Sequence, residues 1–419
     1  MFKERDFALL WSGQSVSSLG DGLFTIALAL EALRLDHSPT GLAFVLAARA
    51  LPAVCLALAG GVVVDRVPRR LAMLVSDVVR GCAVGVIALL VAKGRLELFE
   101  LVIMSAVFGA ADAFFGPASM AFVPELVPAE LLVQANALSS TSSQFAQGLI
   151  GPAVGGLVVA AIGTSWSFGI DAMSFAVSAL SLFAIRTRSR PGSGGHSPVA
   201  AAREGLRFVR RTRWLGATLL GAALANFFGI APLSVLLPLL VRHVLGGGAV
   251  ALGLVFAAGG AAGVVASLLV ARAGPPKHLV VFTWSAYAVG GLAIMAMAFA
   301  PDVFVVGVLS ATEVGLILYG DVLWVAMMQA LVPKEMLGRV SSLVYLFAFA
   351  LGPLGILAGG AAAASIGTRT ALVVSGAVSG GICLVVIFIP GVRDPEHMSL
   401  NSKKSPGEQQ GQDSAPAAG

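Results

Sequence analysis

The chain has 419 residues, of which 57% are hydrophobic and only 12% are charged. Charged residues make up about a quarter of a typical soluble domain, so this composition excludes an ordinary water-soluble globule. The net charge of +5 does not indicate nucleic-acid binding, because the basic residues are scattered over short segments between apolar runs. A multi-pass membrane protein whose surface faces lipid is consistent with both observations.

Apolar runs bounded by Pro, Gly or charged residues predict twelve transmembrane helices. Their predicted bounds are 7–33, 41–64, 70–92, 97–119, 135–162, 166–185, 214–241, 249–272, 278–299, 303–330, 338–365 and 370–390. The runs are too long for barrel strands and lack the alternation that such strands require. We therefore expect an all-α integral membrane protein.

The distribution of Lys and Arg predicts the orientation of these spans. Of the 27 basic residues, 20 fall on the side of the amino terminus, and only five fall on the other: Arg34, Lys93, Arg95, Arg242 and Arg369. Basic residues accumulate in cytoplasmic loops, so both termini are predicted to be cytoplasmic. The first run lacks a cleavage site and contains Asp21, which indicates a retained span. We expect the protein in the plasma (inner) membrane.

Two segments are predicted to lie outside the membrane. Residues 187–213 begin with a Ser, Gly and Pro stretch and continue as a basic helix with Leu206 and Val209 on its apolar side. This pattern favours an amphipathic helix on the inner leaflet, and the alternative is a plain tether whose charge only fixes topology. Residues 393–419 are rich in Ser, Gln, Pro and Gly, which predicts a disordered cytoplasmic tail.

Three short segments recur at nearly one offset, which indicates an internal repeat. The sequence VPAELL at 127–132 is echoed by VPKEML at 332–337, IGT at 162–164 by the same letters at 366–368, and the pair of glycines at 155–156 by the pair at 359–360. The chain is therefore predicted to contain two six-helix halves in parallel repeat, 1–186 and 214–392. Such halves place a substrate site near the bilayer midplane and give alternating access by rocking.

Residues 61–70, with the sequence GVVVDRVPRR, resemble the Gly-xxx-Asp-Arg-x-Gly-Arg-Arg loop of the major facilitator superfamily, with Pro68 where the family usually has Gly. The resemblance implies a cytoplasmic gating loop that latches the outward-facing state. The alternative is that the arginines of this loop only fix the membrane topology. The residues of this loop are Gly61, Asp65, Arg66, Arg69 and Arg70.

Residues 148–156, with the sequence GLIGPAVGG, resemble the Gly-Pro-xx-Gly-Gly signature of the antiporter branch of that superfamily. Pro152 removes a hydrogen bond within the helix, and the small face allows another helix to pack at backbone distance. We expect a bendable gate helix, with close packing alone as the alternative. Its residues are Gly151, Pro152, Gly155 and Gly156.

Further short motifs in the first six spans resemble, within this superfamily, the exporters of macrolides, tetracycline-like drugs and enterobactin-type siderophores. The motifs are LWSGQ at 10–14, SLGD at 18–21, ARALP at 48–52, DVVR at 77–80, PELVP at 124–128 and ANAL at 135–138. The resemblance implies proton-coupled efflux of hydrophobic or amphiphilic small molecules. Substrate and protons would be the partners, and we expect a monomer with no cofactor.

Charged residues inside predicted spans are costly, so each is a candidate for function. At about 1.5 Å of rise per residue, Asp21 and Arg49 lie at one depth in consecutive spans, which predicts an ion pair. Asp77 and Arg80 are one turn apart and predict a structural pair, with Asp112 at a similar depth.

In the second half, Glu313 and Asp321 have no basic partner in any predicted span, which is the setting that a proton-coupling residue requires. We therefore predict that proton coupling and substrate binding involve Asp21, Arg49, Asp112, Glu313 and Asp321. Six polar or aromatic side chains are candidates for lining a cavity: Gln144, Gln147, Asn226, Tyr287, Tyr319 and Trp324.

Three alternatives to export remain open. An importer of the same superfamily would use the same fold in the opposite direction, and a receptor or scaffold would keep the fold without transport. A membrane-embedded enzyme would need a paired nucleophile and base or a metal cluster. The three cysteines lie in apolar runs and the five histidines in predicted loops or ends, so we predict packing roles for the cysteines, no metal site and no enzyme.

Overall fold

The computed structural model describes residues 4–64, 66–187, 198–273, 276, 278–333, 336, 337, 340, 341, 343, 344, 347 and 350–396, and almost all of them are helical. The first seven helices are α1 (Arg5–Leu35), α2 (Pro39–Val64), α3 (Arg69–Ala92), α4 (Leu98–Leu126), α5 (Leu132–Ser143), α6 (Gly151–Ile162) and α7 (Thr164–Ala184). The next eight are α8 (Pro198–Arg211), α9 (Arg213–Phe228), α10 (Ile230–Leu239), α11 (Ala249–Ala273), α12 (Leu279–Met297), α13 (Val303–Leu331), α14 (Gly352–Ile366) and α15 (Thr368–Phe388).

Within the described residues, 11 helical segments are long and apolar enough to cross a membrane, and α14 is a shorter apolar helix. The chain is therefore an all-helical, multi-pass membrane protein. One segment, Ala129–Ile162, combines a 3-10 turn, α5, a π-helix (Gln144–Ile150) and α6. It begins before the predicted residue 135. Pro152 follows the π-helix and has no N–H to continue the regular hydrogen-bond ladder.

The run predicted as one helix over 214–241 is broken into α9 and α10 at Gly229. Pro232 cannot donate to the carbonyl of Phe228 four residues earlier. Ser375 of α15 compensates by donating to the Phe228 oxygen. Ser379 of α15 donates at 3.0 Å to the Ala225 oxygen, which also accepts from the Gly229 N–H. Buried backbone acceptors in a membrane need such partners, so the break is accommodated by the neighbouring helix.

Matching helices pair in the same way before and after α8. Helix α2 packs on α4 as α11 packs on α13, and α3 packs on α4 and α7 as α12 packs on α13 and α15. The turns at Gly163 and Gly367 also match, with φ of 91° and 81°. An L side chain rarely adopts these values, which explains why glycine occupies both turns.

The hydrophobic core consists of one shared cluster and two separate ones. The shared cluster includes Phe24, Leu42 and Val45 from the first seven helices and Leu237 and Leu252 from α10 and α11. The other two lie towards the end where α1 begins and α15 ends, which we call the terminal end, and each draws on one set of helices. The two sets are therefore joined by apolar contacts at the opposite end and have separate cores at the terminal end.

The segments outside the bundle differ in part from the predictions. Helix α8 has exposed arginines on one side and buries Val209 against the cluster that contains Trp214. The predicted amphipathic helix is thus present and packs on the second set of helices. The tail was predicted to be disordered from residue 393, but Glu396 is buried and accepts hydrogen bonds from the backbone of Val280 and Val281, both at 3.0 Å. The stretch 188–197 and the tail from 397 lie outside the described residues.

Candidate functional site

Arg80 of α3 lies at the centre of a charge network in the first set of helices. Its Nη2 is 2.6 Å from Oδ1 of Asp77 on the same helix, and its Nη1 is 3.1 Å from Oδ1 of Asp112 on α4. Ser178 of α7 donates a hydrogen bond of 2.7 Å to the other oxygen of Asp77. Spacing within one helix therefore brought Asp77 and Arg80 together as predicted, and Asp112 joins them from the depth expected.

Aromatic rings cover the Arg80 guanidinium on two sides. Its Cζ is 4.2 Å from the ring centre of Phe115 and 4.6 Å from that of Phe175. Arg80 is 3% exposed and Asp77 is fully buried, whereas the side chain of Asp112 is 48% exposed. Asp112 is thus the exposed member of the network.

A second group of carboxylates lies between α1 and α7. Asp171 of α7 is fully buried, accepts one hydrogen bond of 3.3 Å from Ser174, and packs against the backbone at Gly20. Among the described residues, Oδ2 of Asp171 and Oδ1 of Asp21 are buried without a hydrogen-bond partner. The charges of Asp21 and Asp171 interact with each other and with those of Arg80 and Arg49.

The ion pair predicted between Asp21 and Arg49 is absent from this structure. The Cζ of Arg49 lies 5.2 Å from the ring centre of Phe24 and 4.9 Å from that of Phe108. These rings stack at 4.9 Å with an angle of 7°, and they hold the guanidinium through cation–π contacts. Equal depth on neighbouring helices did not produce contact, because the rotation of each helix directs the side chains to different neighbours.

Asp171 was missed by the sequence reasoning, which in the first half considered only acids at the depth of a basic residue and looked for unpaired acids only in the second half. The signal available was a carboxylate within an otherwise apolar predicted span. Glu31 of α1 was missed in the same way. It is fully buried and bound by Arg34 at 2.5 Å and by the hydroxyl of Thr164 at 2.7 Å, which ties α1 to the start of α7.

In the second set of helices, Glu313 and Asp321 of α13 have different surroundings. Glu313 is 3% exposed and forms no ion pair or side-chain hydrogen bond with the described residues. Asp321 accepts a hydrogen bond of 2.7 Å from the hydroxyl of Tyr287 on α12. Neither carboxylate has a basic partner among the described residues.

Asp321 lines a cavity of about 490 Å³ within the second set of helices. The walls come from α9, α10, α12, α13 and α15 and from three residues between 337 and 344. Three of the predicted lining candidates, Asn226, Tyr287 and Trp324, face this cavity. The volume is within the range of small-molecule sites. Tyr319 instead packs against Phe282, with ring centres 5.4 Å apart.

The sequence model of the transmembrane secretion effector family, within the major facilitator superfamily, matches residues 1–411. The chain belongs to this family. The family resemblance inferred from the motifs is therefore confirmed, and the protein is a multi-pass membrane transporter of the major facilitator superfamily.

Curated relatives match the transporter over most of its length. The multidrug efflux pump Tap of Mycobacterium tuberculosis is 29% identical over 399 residues, which is 90% of this chain and 92% of Tap. The enterobactin exporter EntS of Escherichia coli is 27% identical over 408 residues, 91% of this chain and 92% of EntS. A bacterial homologue of the iron transporter ferroportin, solved in an inward-facing state, has a similar fold with a TM-score of 0.70, 17% identity and coverage of 91% and 98%.

The predicted gating loop of the transporter is described in part. Arg69 forms an ion pair with Glu125 near the end of α4, and Arg70 donates a hydrogen bond of 2.6 Å to the Phe183 carbonyl of α7. These contacts tie the start of α3 to both neighbouring helices. Arg66 is exposed, and the position of Asp65 and the surroundings of Gly61 lie outside the described residues.

The predicted gate helix of the transporter lies between two partners. A Cβ at Gly151 or Gly155 would lie 2.7 Å from Gly22 Cα or 2.9 Å from Leu23 Cα of α1. A Cβ at Gly156 would instead lie 2.7 Å from the Ala249 carbonyl of α11. Helix α6 therefore packs against α1 of the first set through Gly151 and Gly155, and against α11 of the second set through Gly156.

The predictions for cysteine are only partly met. Cys383 is buried on the cavity wall, but Cys55 and Cys82 are exposed and have no packing role. No group of three or more His, Cys, Asp or Glu side chains in the described parts of the chain has the arrangement of a metal site.

Proposed function

We propose that the transporter is a secondary active exporter that couples proton entry to efflux of hydrophobic or amphiphilic small molecules. The observation that supports this most is the excess of carboxylates around Arg80. Asp77 and Asp112 already occupy its guanidinium, and Asp21 and Asp171 each have a buried oxygen without a hydrogen-bond partner among the described residues. In a low-dielectric bundle an uncompensated negative charge is costly, and a bound proton removes it.

Efflux is the direction that the relatives favour, since Tap is a multidrug efflux pump and EntS an enterobactin exporter. The conformation also suits an exporter that loads from the cytoplasm. With the termini cytoplasmic, as the distribution of Lys and Arg predicts, the shared core closes the outer end, and the separate cores face the inside. Substrate would enter from the cytoplasm, and protons would return after the halves rock.

The proposed architecture is that of twelve transmembrane helices in two six-helix repeats with both termini inside. The halves are 1–186 and 214–392, joined by the linker 187–213 and followed by the tail 393–419. The matched helix pairing and the matched turns at Gly163 and Gly367 support the repeat. A monomer in the inner membrane, with protons and a small-molecule substrate as its partners and no cofactor, is sufficient for this mechanism.

Different groups of residues have separate roles in the transport cycle. Asp21 and Asp171 receive the proton beside Arg80, and Glu313 is the corresponding buried carboxylate in the second half. The gating loop at Arg69 and Arg70 holds the inner ends of α3, α4 and α7 as one body. The helix that contains Pro152 bends where its π-helix meets α6.

Transport by proteoliposomes under an imposed pH gradient tests the proposal. The wild-type protein should drive uphill efflux of a drug or siderophore from a panel, and Asp21→Asn, Asp171→Asn and Glu313→Gln should each reduce this at least tenfold. The same variants should still exchange substrate down its gradient, because exchange needs no proton. The control is Glu130→Gln, which removes an exposed carboxylate. Absence of pH-driven efflux by the wild-type protein would contradict proton coupling, and undiminished uphill efflux by all three variants would contradict the assignment of coupling to these carboxylates. Uphill uptake would indicate an importer.

A further inference from the structure

The cavity in the second half has the composition of a site for an organic cation. Of its described lining residues only Asp321 is charged, and three aromatic rings, Trp284, Tyr287 and Trp324, form part of the wall. Most of the other lining side chains are aliphatic. The described wall of the pocket therefore offers a single carboxyl group within a largely apolar surface.

The carboxylate of Asp321 is held in one orientation, and none of the described residues neutralises it. The hydroxyl of Tyr287 donates to Oδ1, and no basic side chain among the described residues contacts either oxygen. Tyr287 is in turn held in place because its ring packs directly on Gly320, where any Cβ would collide with the ring. An intramembrane carboxylate that is fixed in position and lacks a counter-ion attracts a positive charge.

The aromatic residues suit the same ligand. The rings of Trp284 and Tyr287 meet edge to face, with centres 5.6 Å apart and an angle of 89°. Trp324 is supported by Trp214 at 6.1 Å. The faces of Trp and Tyr attract cations, and the attraction is stronger when the site excludes water. A neutral apolar compound would gain free energy from burial, but it would lack both the attraction to the Asp321 carboxylate and the cation–π contacts.

We propose that this cavity is the cargo site of the transporter and that it selects amphiphilic organic cations, with the positive centre at Asp321 and the apolar body between Trp284 and Trp324. The inference rests on the proposed transport function, since the occupant is taken to be cargo. It separates the cargo charge in the second half from the proton site around Asp21 and Asp171 in the first.

Equilibrium binding to the purified full-length protein in nanodiscs, without any gradient, tests the inference. The probes are tetraphenylphosphonium, its anionic analogue tetraphenylborate, and neutral triphenylphosphine oxide, each measured against empty nanodiscs. The wild-type protein should bind the phosphonium at least tenfold more tightly than the other two. Equal binding of the phosphonium and the borate would overturn the inference without reference to any variant.

Variants of Asp321 test whether this residue causes the preference for the phosphonium. Asp321→Asn should weaken phosphonium binding at least tenfold and leave binding of the phosphine oxide unchanged, whereas Asp321→Glu should keep the preference for the cation. The matched control is Glu130→Gln, which should bind all three probes like the wild-type protein. Wild-type affinity of Asp321→Asn for the phosphonium would place the cation elsewhere and overturn the inference.

The two proposals fail separately. If the phosphonium binds in an Asp321-dependent manner but no pH gradient drives transport, the cation site stands and proton coupling is wrong. If a pH gradient drives efflux but Asp321→Asn binds the phosphonium as tightly as the wild-type protein does, proton-coupled export stands and the cation site is wrong.

Discussion

Arg80 reaches Asp112 across the boundary between α3 and α4, with 3.1 Å between Nη1 and Oδ1. The other partner of the guanidinium, Asp77, is fully buried, whereas nearly half of the Asp112 side chain is exposed. The two carboxylates therefore contribute differently although they share one cation. Asp77 holds the Arg80 guanidinium inside the bundle, whereas the exposed Asp112 can exchange Arg80 for another partner.

Substitution should separate these roles. Asp77→Asn leaves Arg80 partly unpaired in a dry site and should lower the free energy of unfolding by about 3–5 kcal/mol. Asp112→Asn removes a half-exposed partner and should lower it by less than about 1 kcal/mol, while reducing proton-driven transport. Denaturant unfolding in detergent and transport assays give the two readouts. Equal destabilisation by both variants would mean that Asp112 is as structural as Asp77.

The Arg69 and Glu125 pair should behave as a coupled unit. Both side chains are about one-fifth exposed, and in the described structure Nε of Arg69 and Oε2 of Glu125 are buried without a partner. Arg69→Glu places two like charges together and should slow transport. The exchanged pair, Arg69→Glu with Glu125→Arg, should recover part of the loss, with a coupling energy of about 0.5–3 kcal/mol in a double-mutant cycle. Additive effects would show that the pair does not act together.

Gly156 should be needed for contact between the halves. Gly156→Val directs a side chain into the backbone of α11 at Ala249, which cannot move aside as a flexible side chain would. We expect at least a tenfold loss of transport with normal membrane insertion. Gly169→Val is the matched control, because a Cβ at this helical glycine meets nothing within 4 Å. If both variants transport equally well, close approach at Gly156 is not required.

Glu396 should stabilise α12 from a distance. Its Oε1 accepts from Val280 and Val281 in the first turn of α12, where His278 at the N-cap position provides no side-chain hydrogen bond. Glu396→Ala should lower the free energy of unfolding by about 1 kcal/mol, the usual effect of losing a helix cap. A chain that ends at Glu396 should keep wild-type stability, measured by the same thermal melts. Lower stability of that shortened chain would assign a role to the residues beyond the cap.

Contacts between residues of one helix were predictable from the sequence, whereas contacts between residues of different helices were less predictable. Asp77 and Arg80 pair because three residues make nearly one turn, which the sequence states directly. The contact between Asp112 and Arg80 was expected only from their similar depth in the membrane. The same reasoning was wrong for Asp21 and Arg49, because depth does not define the rotation of a helix, and Arg49 is held by two aromatic rings instead.

Local breaks were also hard to place. Pro152 and Pro232 both lack an N–H, yet only the first was interpreted as a bend, since glycines surround it. The break at Pro232 depends on the hydroxyl of Ser375 in α15, which lies 147 residues from Phe228 in sequence and supplies the hydrogen bond that Pro232 cannot donate. Asp171 was missed because its proximity to Asp21 is defined only once α7 packs on Gly20.

At the end opposite the terminal end, α2 and α14 approach each other most closely where both side chains are very small. Gly360 lies directly against Ala43 and near the carbonyl of Pro39. Since each buried methylene contributes about 0.8 kcal/mol, an alanine on a glycine stores far less free energy than a pair of leucines would. This one point of contact therefore has no interlocking side chains that would have to disengage when the two helices separate, and the larger apolar side chains around it supply the free energy that holds them together.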